Sequence, residues 1–436
     1  MFVNNAQGKY VAGLKFVLLS IDVPSITEQT PKALENLFNA MYGTKSALTW
    51  KEIWLLGRLH PVFSFEIISS EGYLSFLVLT QTRFRDVIEA GIYAQYPESE
   101  IAEVEDYVKD FPDQFPDSEY EMWGGEFVLK KDWIFPIRTY VDFEDKMTGE
   151  IKDPLRQTLE QMAKMRPGEH LWFQMLVQPA TNDWSKKGVQ YVNKLYGVEE
   201  KNGNGIFSSS LQGALSIPSG VIQEATGVDM SALMFGSSEE KKDVDIWKAF
   251  KVTLAQKEEA EAVLRKAGKV GMSAKIRILY VAKKNAFVKV ERTGIVKGIL
   301  NQYAHLHLNS FELFIPQVPK DDYFWMRWEY TKKQRILMAG YKKRSWPIGA
   351  TPFVLNSEEM ATLWHFPAIS IKAPLIKKAE AKRAEPPVGL PITFGDQLLP
   401  FGPSASADIL PGAGGVPGFM RPPTEVGGHD VHRFEL

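Results

Sequence analysis

Metal binding or acid–base catalysis would need histidines and carboxylates to meet at one place, and few positions in this sequence suit that need. His305 and His307 form one closely spaced histidine pair. In a strand, residues two apart share a face and could ligate a metal, but no third ligand lies near this pair in sequence. We therefore predict that both are polar strand positions, and a metal hydrolase is the disfavoured alternative. His365 ends an apolar helical pattern, where capping or packing is favoured over catalysis.

The motifs of phosphate binding and of nucleophilic catalysis are missing from the sequence. It has neither a Gly-x-x-x-x-Gly-Lys-Ser/Thr loop nor a Gly-x-Ser-x-Gly elbow. The stretch Gly268-Lys269-Val270-Gly271 resembles a phosphate loop only in composition, and its place at a helix end favours a C-cap. The chain has no cysteine, which excludes disulfides and thiolate chemistry. We predict a non-enzymatic protein with no metal and no other cofactor.

Charge is distributed unevenly, although the net charge is only −2. Residues 98–121 hold ten carboxylates and one lysine, and residues 265–297 hold ten cations and one acid. From 320 to 346, eight cations alternate with aromatic residues, a mixture that suits stacking on bases and neutralisation of phosphates. An edge strand with core-facing aromatics is the structural alternative. The predicted nucleic-acid-binding residues are Trp325, Arg327, Lys332, Lys333, Arg335, Lys342, Lys343 and Arg344, with Trp325 and Arg327 on one face of a strand.

The elements that would position these residues follow from hydrophobic periodicity. In residues 1–110, alternation predicts strands at 17–23, 63–67 and 74–78, with a turn at Glu71-Gly72 between the last two. Helices are predicted from Pro31 and from about Thr82, and a half-acidic strand follows at 100–107. This order of elements is the ferredoxin-like βαββαβ pattern.

A similar order recurs further along, so we predict an α+β fold of two tandem ferredoxin-like units. Residues 111–125 are read as an acidic linker and 126–320 as the second unit, whose first strand is predicted at 137–141. A helical insertion at about 182–270 interrupts that unit and ends with a charged helix stopped by Gly268. Its apolar residues would pack on the protein's own sheet, or alternatively contact a partner or a membrane surface.

The C-terminal part closes the predicted body. Residues 321–385 comprise the basic, aromatic segment and a short helix, for which Asn356 or Ser357 is the predicted N-cap. Met360, Leu363 and Trp364 would form its apolar face. Residues 386–436 contain nine prolines and nine glycines, which predicts a disordered tail. No apolar run approaches the roughly 20 residues of a transmembrane helix, and the N-terminal stretch lacks the features of a signal peptide.

Several stretches together resemble one bacterial family. They are FVLLSIDVP (16–24), FSFEIISSEG (63–72), YAQYPESEIAEVEDY (93–107), FPIRTY (135–140), DPLRQTLEQMAKMRPGEHLWFQMLVQP (153–179) and LNSEEMATLWHFP (355–367). The family is an uncharacterised region that precedes the motor domain in type IV secretion or conjugative DNA-transfer ATPases of the HerA/TraG-like kind. The resemblance covers about residues 14–391. It implies a duplicated α+β module that positions or regulates a hexameric DNA-pumping motor at a membrane complex.

The motor itself has no counterpart in this sequence, because a Pro/Gly-rich segment follows Pro391 and Walker motifs are missing. The resemblance therefore implies an accessory or assembly module that acts through protein–protein contacts, with a motor ATPase in trans and DNA as candidate partners. Single-stranded nucleic-acid binding by residues 265–346 is the alternative. Without the motor, Glu358, Glu359 and Thr362 on the closing helix become predicted partner-docking residues. The expected location is cytoplasmic, with peripheral association with the inner face of the membrane left open.

Overall fold

The computed structural model describes residues 2–23, 29–143, 153–181, 183–196, 252–319 and 327–367. These residues belong to one compact unit. The predicted tail at 386–436, Trp325 and the glycine- and serine-rich centre of the insertion lie outside the described residues.

Nine antiparallel strands form one sheet in the described part of the chain, which confirms a mixed α and β fold. Its order is β4-β1-β3-β2-β6-β7-β5-β8, and β9 pairs with the first residues of β7. The strands are β1 Phe16–Asp22, β2 Phe63–Ser70, β3 Tyr73–Gln81, β4 Glu100–Glu103, β5 Tyr120–Leu129, β6 Glu169–Pro179, β7 Gly271–Lys283, β8 Phe311–Leu313 and β9 Phe353–Asn356. Because β2 pairs with β6, the sheet continues without a break across the predicted boundary between the two units.

Ten α-helices accompany the sheet among the described residues. They are α1 Phe2–Ala12, α2 Lys32–Tyr42, α3 Trp50–Trp54, α4 Arg85–Tyr93, α5 Arg156–Met162, α6 Trp184–Tyr196, α7 Leu254–Ala267, α8 Lys289–Asn301, α9 Arg327–Lys342 and α10 Ser357–Leu363. The predicted C-cap at Gly268 is confirmed, since its N–H donates to the Leu264 carbonyl at the end of α7. The predicted N-cap of the closing helix is also confirmed, because Asn356 and Glu359 form a capping box at α10.

The predicted turn between β2 and β3 is confirmed. Glu71 and Gly72 have φ values of 54° and 90°. Positive φ at both central residues is what a type I′ hairpin turn requires, and its twist matches that of the flanking strands.

Two predictions about the second half of the sheet are wrong. Residues 137–141 lie in a loop and the start of a short 3₁₀-helix, and the strand expected there is instead β5, which overlaps the predicted linker. The adjacent Gly124 and Gly125, at the end of the predicted linker, are sites of close packing within β5. A Cβ on Gly124 would overlap the Ile278 carbonyl of the neighbouring β7, and one on Gly125 would overlap the Leu313 side chain.

Each face of the sheet has its own core. On one face, alternate strand residues such as Phe65, Phe173 and Ile278 pack against α2, α4, α5, α8 and α10. On the other face, Trp172 and Leu279 pack against α9 and against residues 108–115. The sheet is therefore covered on both sides, and the apolar side of α9 lies against the second face.

Candidate interaction surfaces

A row of polar side chains crosses the second face of the sheet. Glu66, Gln174, Arg277 and Glu126 lie directly opposite one another on β2, β6, β7 and β5, and all four are buried. Gln174 Nε2 donates to Glu66 Oε1 at 3.0 Å, and Arg277 donates to Gln174 Oε1 at 3.3 Å and to Glu126 Oε1 at 2.6 Å. Buried charges are tolerated when they are paired and hydrogen-bonded, and this row satisfies both conditions.

The segment after α9 covers this row. The Arg277 guanidinium also donates to the carbonyls of Gly340, Ser345 and Ile348, at 2.9, 2.8 and 2.6 Å. The Lys275 ammonium donates to the carbonyls of Trp346 and Ile348, and burial lowers the pKa of Lys275 to about 8. Cations from one strand thus fix residues 340–348 above the sheet through backbone acceptors.

Arg344, a predicted nucleic-acid-binding residue, is part of this buried assembly. Its guanidinium donates to Glu66 Oε1 at 3.0 Å and to Asp106 Oδ1 at 2.9 Å, and it is only 9% exposed. Burial acts to lower the pKa of Arg344, but the charge of Glu66 and the hydrogen bonds raise it well above the ordinary value. The side chain is therefore not available to a phosphate at the surface.

Other members of the predicted nucleic-acid set make contacts within the protein. Lys342 Nζ donates to the Phe111 carbonyl at 2.8 Å and forms an ion pair with Asp113. Arg335 Nε donates to the Phe115 carbonyl at 2.6 Å. Lys333 Nζ lies 3.0 Å from Glu329, one helical turn earlier. Two ion pairs, Lys342 with Asp113 and Arg344 with Asp106, thus join the acidic stretch at 98–121 to the basic stretch at 327–346.

The solvent-exposed face of α9 carries both cations and large apolar side chains. The strand predicted at Arg327 is wrong, because Arg327 begins this helix. We define the α9 stripe as Trp328, Lys332, Arg335 and Ile336 on the helix and Lys343 directly after it. Trp328 is 75% exposed, and Lys332 Nζ lies 5.3 Å from the centre of its ring. The opposite side of α9 is buried through Leu337, Met338 and Tyr341, so the protein holds the stripe in a fixed position.

The predicted docking residues of the closing helix are not at the surface, so the prediction of an exposed docking face there is wrong. Glu358 is 2% exposed, and Glu359 and Thr362 are fully buried. Glu358 accepts hydrogen bonds from Thr139 and Arg265, and Lys269 Nζ lies 2.7 Å from it. The physical reason is that the carboxylates which suit the first turn of α10 also neutralise cations at the end of α7.

These contacts tie the end of the insertion to the body of the protein. Lys266 Nζ lies 2.9 Å from Glu359 Oε2, and Lys269 Nζ also lies 2.9 Å from Glu35 on α2. The Tyr140 hydroxyl donates to the same Glu35 at 2.5 Å, so burial and this carboxylate raise the pKa of Tyr140. Lys269 is thus paired with two carboxylates, Glu35 and Glu358. These ion pairs explain the position of the Lys269 side chain without phosphate binding at Gly268–Gly271. An open cleft of 270 Å³ lies beside it, lined by Tyr42, Trp184, Ser185 and residues 267–271.

The predicted histidine pair lies outside a strand and belongs to no cluster of potential metal ligands among the described residues. His305 and His307 lie in a turn before β8, not in the predicted strand, and His305 Nδ1 accepts the backbone N–H groups of His307 and Leu308. Within the described residues, no group of three potential metal ligands is found. His365 is buried, with Nε2 2.9 Å from Asp153 Oδ1, as a packing role predicts.

Sequence reasoning missed an exposed apolar surface between α2 and β2. We define the Trp50 surface as Trp50, Trp54, Leu55, Leu56 and Leu59, which are 67%, 49%, 54%, 56% and 36% exposed. The two indole rings lie 6.4 Å apart. A signal was present, since positions 50–59 contain six large apolar residues, the five named here and Ile53, and belong to neither the preceding helix nor the following strand. Exposed apolar patches of this kind mark interaction sites.

Comparison with known proteins assigns this chain to a family and gives no curated relative. Among the described residues, no helix combines the length and the apolar content needed to cross a bilayer. No curated protein matches the chain significantly. A family model described as a domain of unknown function (DUF8128) matches residues 21–379, which is more than half of the 436 residues. The protein is therefore a member of the DUF8128 family.

Proposed function

We propose that this protein is a non-enzymatic accessory or assembly module of a type IV secretion or conjugative DNA-transfer machine. The α9 stripe is the single observation that carries the proposal. It offers an exposed tryptophan and cations on a helix that the sheet holds rigidly, and tryptophan and arginine are enriched where proteins bind one another. The family resemblance of the sequence supplies the machine and its motor ATPase as the partner in trans. The proposed location is the cytoplasm, at the inner face of the membrane.

We further propose that the body consists of two ferredoxin-like units joined edge to edge. The strand order supports this, because β4-β1-β3-β2 and β8-β5-β7-β6 follow the same pattern in the two halves. A helix links the first and second strands and another links the third and fourth in each half. Such a duplicated body would be a rigid scaffold that presents the α9 stripe to a partner.

The proposal is tested by photocrosslinking in the native host. A photoreactive residue at Ile336 lies on the α9 stripe, and one at Leu306, which is 90% exposed, is the matched control away from α9. We expect a crosslink to a motor ATPase from position 336 but not from 306. We also expect Trp328→Ser to lower DNA-transfer frequency while leaving the melting temperature unchanged. Identical crosslinks from both positions, or unaltered transfer in the Trp328 variant, would contradict the proposal.

Binding of single-stranded nucleic acid by the α9 stripe is the second candidate function. It is favoured by the contact between Lys332 and the exposed Trp328 ring, since aromatic stacking and phosphate neutralisation act together at such sites. Lys332→Ala should reduce the slope of log affinity against log salt by about 0.7 if it contacts one phosphate. Lys333→Ala is the control, because that ammonium is already paired with Glu329. Equal effects of both variants, or no binding at low salt, would exclude this function.

A further inference from the structure

We propose that the Trp50 surface docks on an anionic lipid bilayer. The inference goes beyond the proposed function and uses a different surface from the α9 stripe. Its five apolar side chains are all at least one third exposed, although Trp54, Leu55 and Leu56 are consecutive. Successive residues of a helical turn point about 100° apart, so these side chains face several directions. A fluid bilayer interface can surround such an element, whereas a single rigid protein groove covers only one of its sides.

The residue types fit the interfacial region of a bilayer. Tryptophan favours the level of the lipid headgroups, because its ring is apolar and its N–H remains free to bond with water or headgroups. Leucines next to the tryptophans would reach into the upper acyl chains. The element is also well defined, since the Thr49 and Glu52 capping box closes the start of α3.

Charge complementarity selects an anionic surface. Residues 43–62 contain the cations Lys45, Lys51 and Arg58 against one acid, Glu52, whereas the whole chain has a net charge of −2. This segment packs against α1, because a Cβ on Gly57 would overlap the backbone of α1 at Ala6. Glu52 accepts hydrogen bonds from Thr49 and forms an ion pair with Arg58, so Lys45 and Lys51 supply the excess positive charge of this segment. Asp183, which lies near Lys45, is paired with Lys186.

The test is sedimentation of the full chain with lipid vesicles. Vesicles of one third phosphatidylglycerol and two thirds phosphatidylcholine should bind the protein more tightly than phosphatidylcholine alone. Each cation near the surface adds about 1 kcal/mol, or about fivefold in affinity, so Lys51→Ala should weaken binding to the anionic vesicles by about that factor. Trp50→Ser combined with Trp54→Ser should lower partitioning at least about tenfold, since both exposed rings lose their apolar burial.

Trp328→Ser is the matched control, because it removes a tryptophan that is 75% exposed on the α9 stripe. This variant should bind vesicles as the wild type does, while the double variant at 50 and 54 should retain the wild-type melting temperature. The proposal is overturned if the wild type does not sediment with anionic vesicles or if the double variant binds them equally well. A double variant that instead loses self-association in sedimentation velocity would assign the surface to a second copy of the chain. Since the crosslinking test uses other residues, either proposal can fail without the other.

Discussion

Replacement of Glu359 by glutamine is a sharp test of the buried contacts around α10. The Glu359 carboxylate accepts the backbone N–H groups of Asn356 and Ile137, both at 2.9 Å, and pairs with the Lys266 ammonium. Glutamine keeps the size and shape of the side chain but has no charge and only one acceptor oxygen. The substitution therefore leaves Lys266, which is 1% exposed, without its counter-charge.

The expected loss of stability follows from the two states open to Lys266 in the variant, which are charged without a partner or deprotonated. Removal of one partner from a buried ion pair costs about 3–5 kcal/mol. Lys266 can avoid a buried charge by losing its proton, which at pH 7 costs about 1.36 kcal/mol for each of about 3.4 units below 10.4, or about 4.6 kcal/mol. Burial already lowers the pKa of Lys266 in the wild type, so this second route sets an upper limit. We expect the free energy of unfolding to fall by about 3–4.5 kcal/mol.

Urea unfolding at pH 7 and at pH 9.5 measures the loss in the free energy of unfolding and shows whether the unpaired charge of Lys266 causes it. In the Glu359→Gln variant, the native state binds fewer protons at Lys266 than the unfolded state, so the deficit should shrink as pH rises. Adding Lys266→Met should recover part of the stability, because no unpaired charge remains. Glu160→Gln is the control, since its pair with Arg156 is about half exposed and is worth less than about 1 kcal/mol. A loss below about 1 kcal/mol, or a double variant less stable than Glu359→Gln alone, would refute the reasoning.

Two further predictions concern a buried carboxylate and two tyrosine hydroxyls. Burial acts to raise the pKa of Glu66, but the charge and hydrogen bonds of Arg344 outweigh it and hold that pKa below its ordinary value. The stabilisation is therefore present above about pH 4.3 and is lost as pH falls through the lower folded pKa, so acid titration should destabilise the wild type more steeply than Glu66→Gln. Tyr96→Phe should leave the free energy of unfolding unchanged or raise it, because the buried Tyr96 hydroxyl has no hydrogen-bond partner among the described residues. Tyr107→Phe should instead cost about 1–2 kcal/mol, since the Tyr107 hydroxyl donates to Glu66, and equal losses in the two tyrosine variants would contradict the assignment.

Local periodicity predicted the strands in which apolar and more polar residues alternate along the sequence. β2 and β3 were found in this way, together with the Glu71-Gly72 turn between them. β5 was missed because its glycines resemble those of a linker, whereas they permit close contact with β7 and β8. The requirement for glycine there comes from a neighbouring strand about 150 residues later in the chain, at Ile278, and no window around residue 124 contains it.

The helix at 327–342 was missed for a related reason. Its apolar face is narrow and includes Gln334, which is buried because its amide donates to the Met122 carbonyl at 2.8 Å. A polar residue in that position weakens the 3.6-residue period on which sequence analysis depends. The interleaved aromatics and cations then favoured a strand, whereas the sheet face and the acidic loop together fix a helix.

The charged residues show most clearly where sequence reasoning ends. Glu358 and Glu359 lie in the first turn of α10, where carboxylates suit the helix dipole, and Glu359 also completes the capping box with the predicted N-cap Asn356. Their second role, neutralisation of Arg265, Lys266 and Lys269, depends on partners about 90 residues away, so exposure could not be judged from the helix alone. Trp50 and Trp54 are the reverse case, because large apolar residues are usually buried and these two are 67% and 49% exposed. Distant ion pairs neutralise several charges that looked available in the sequence, and the two tryptophans remain exposed. The candidate surfaces for partners are therefore the α9 stripe and the Trp50 surface.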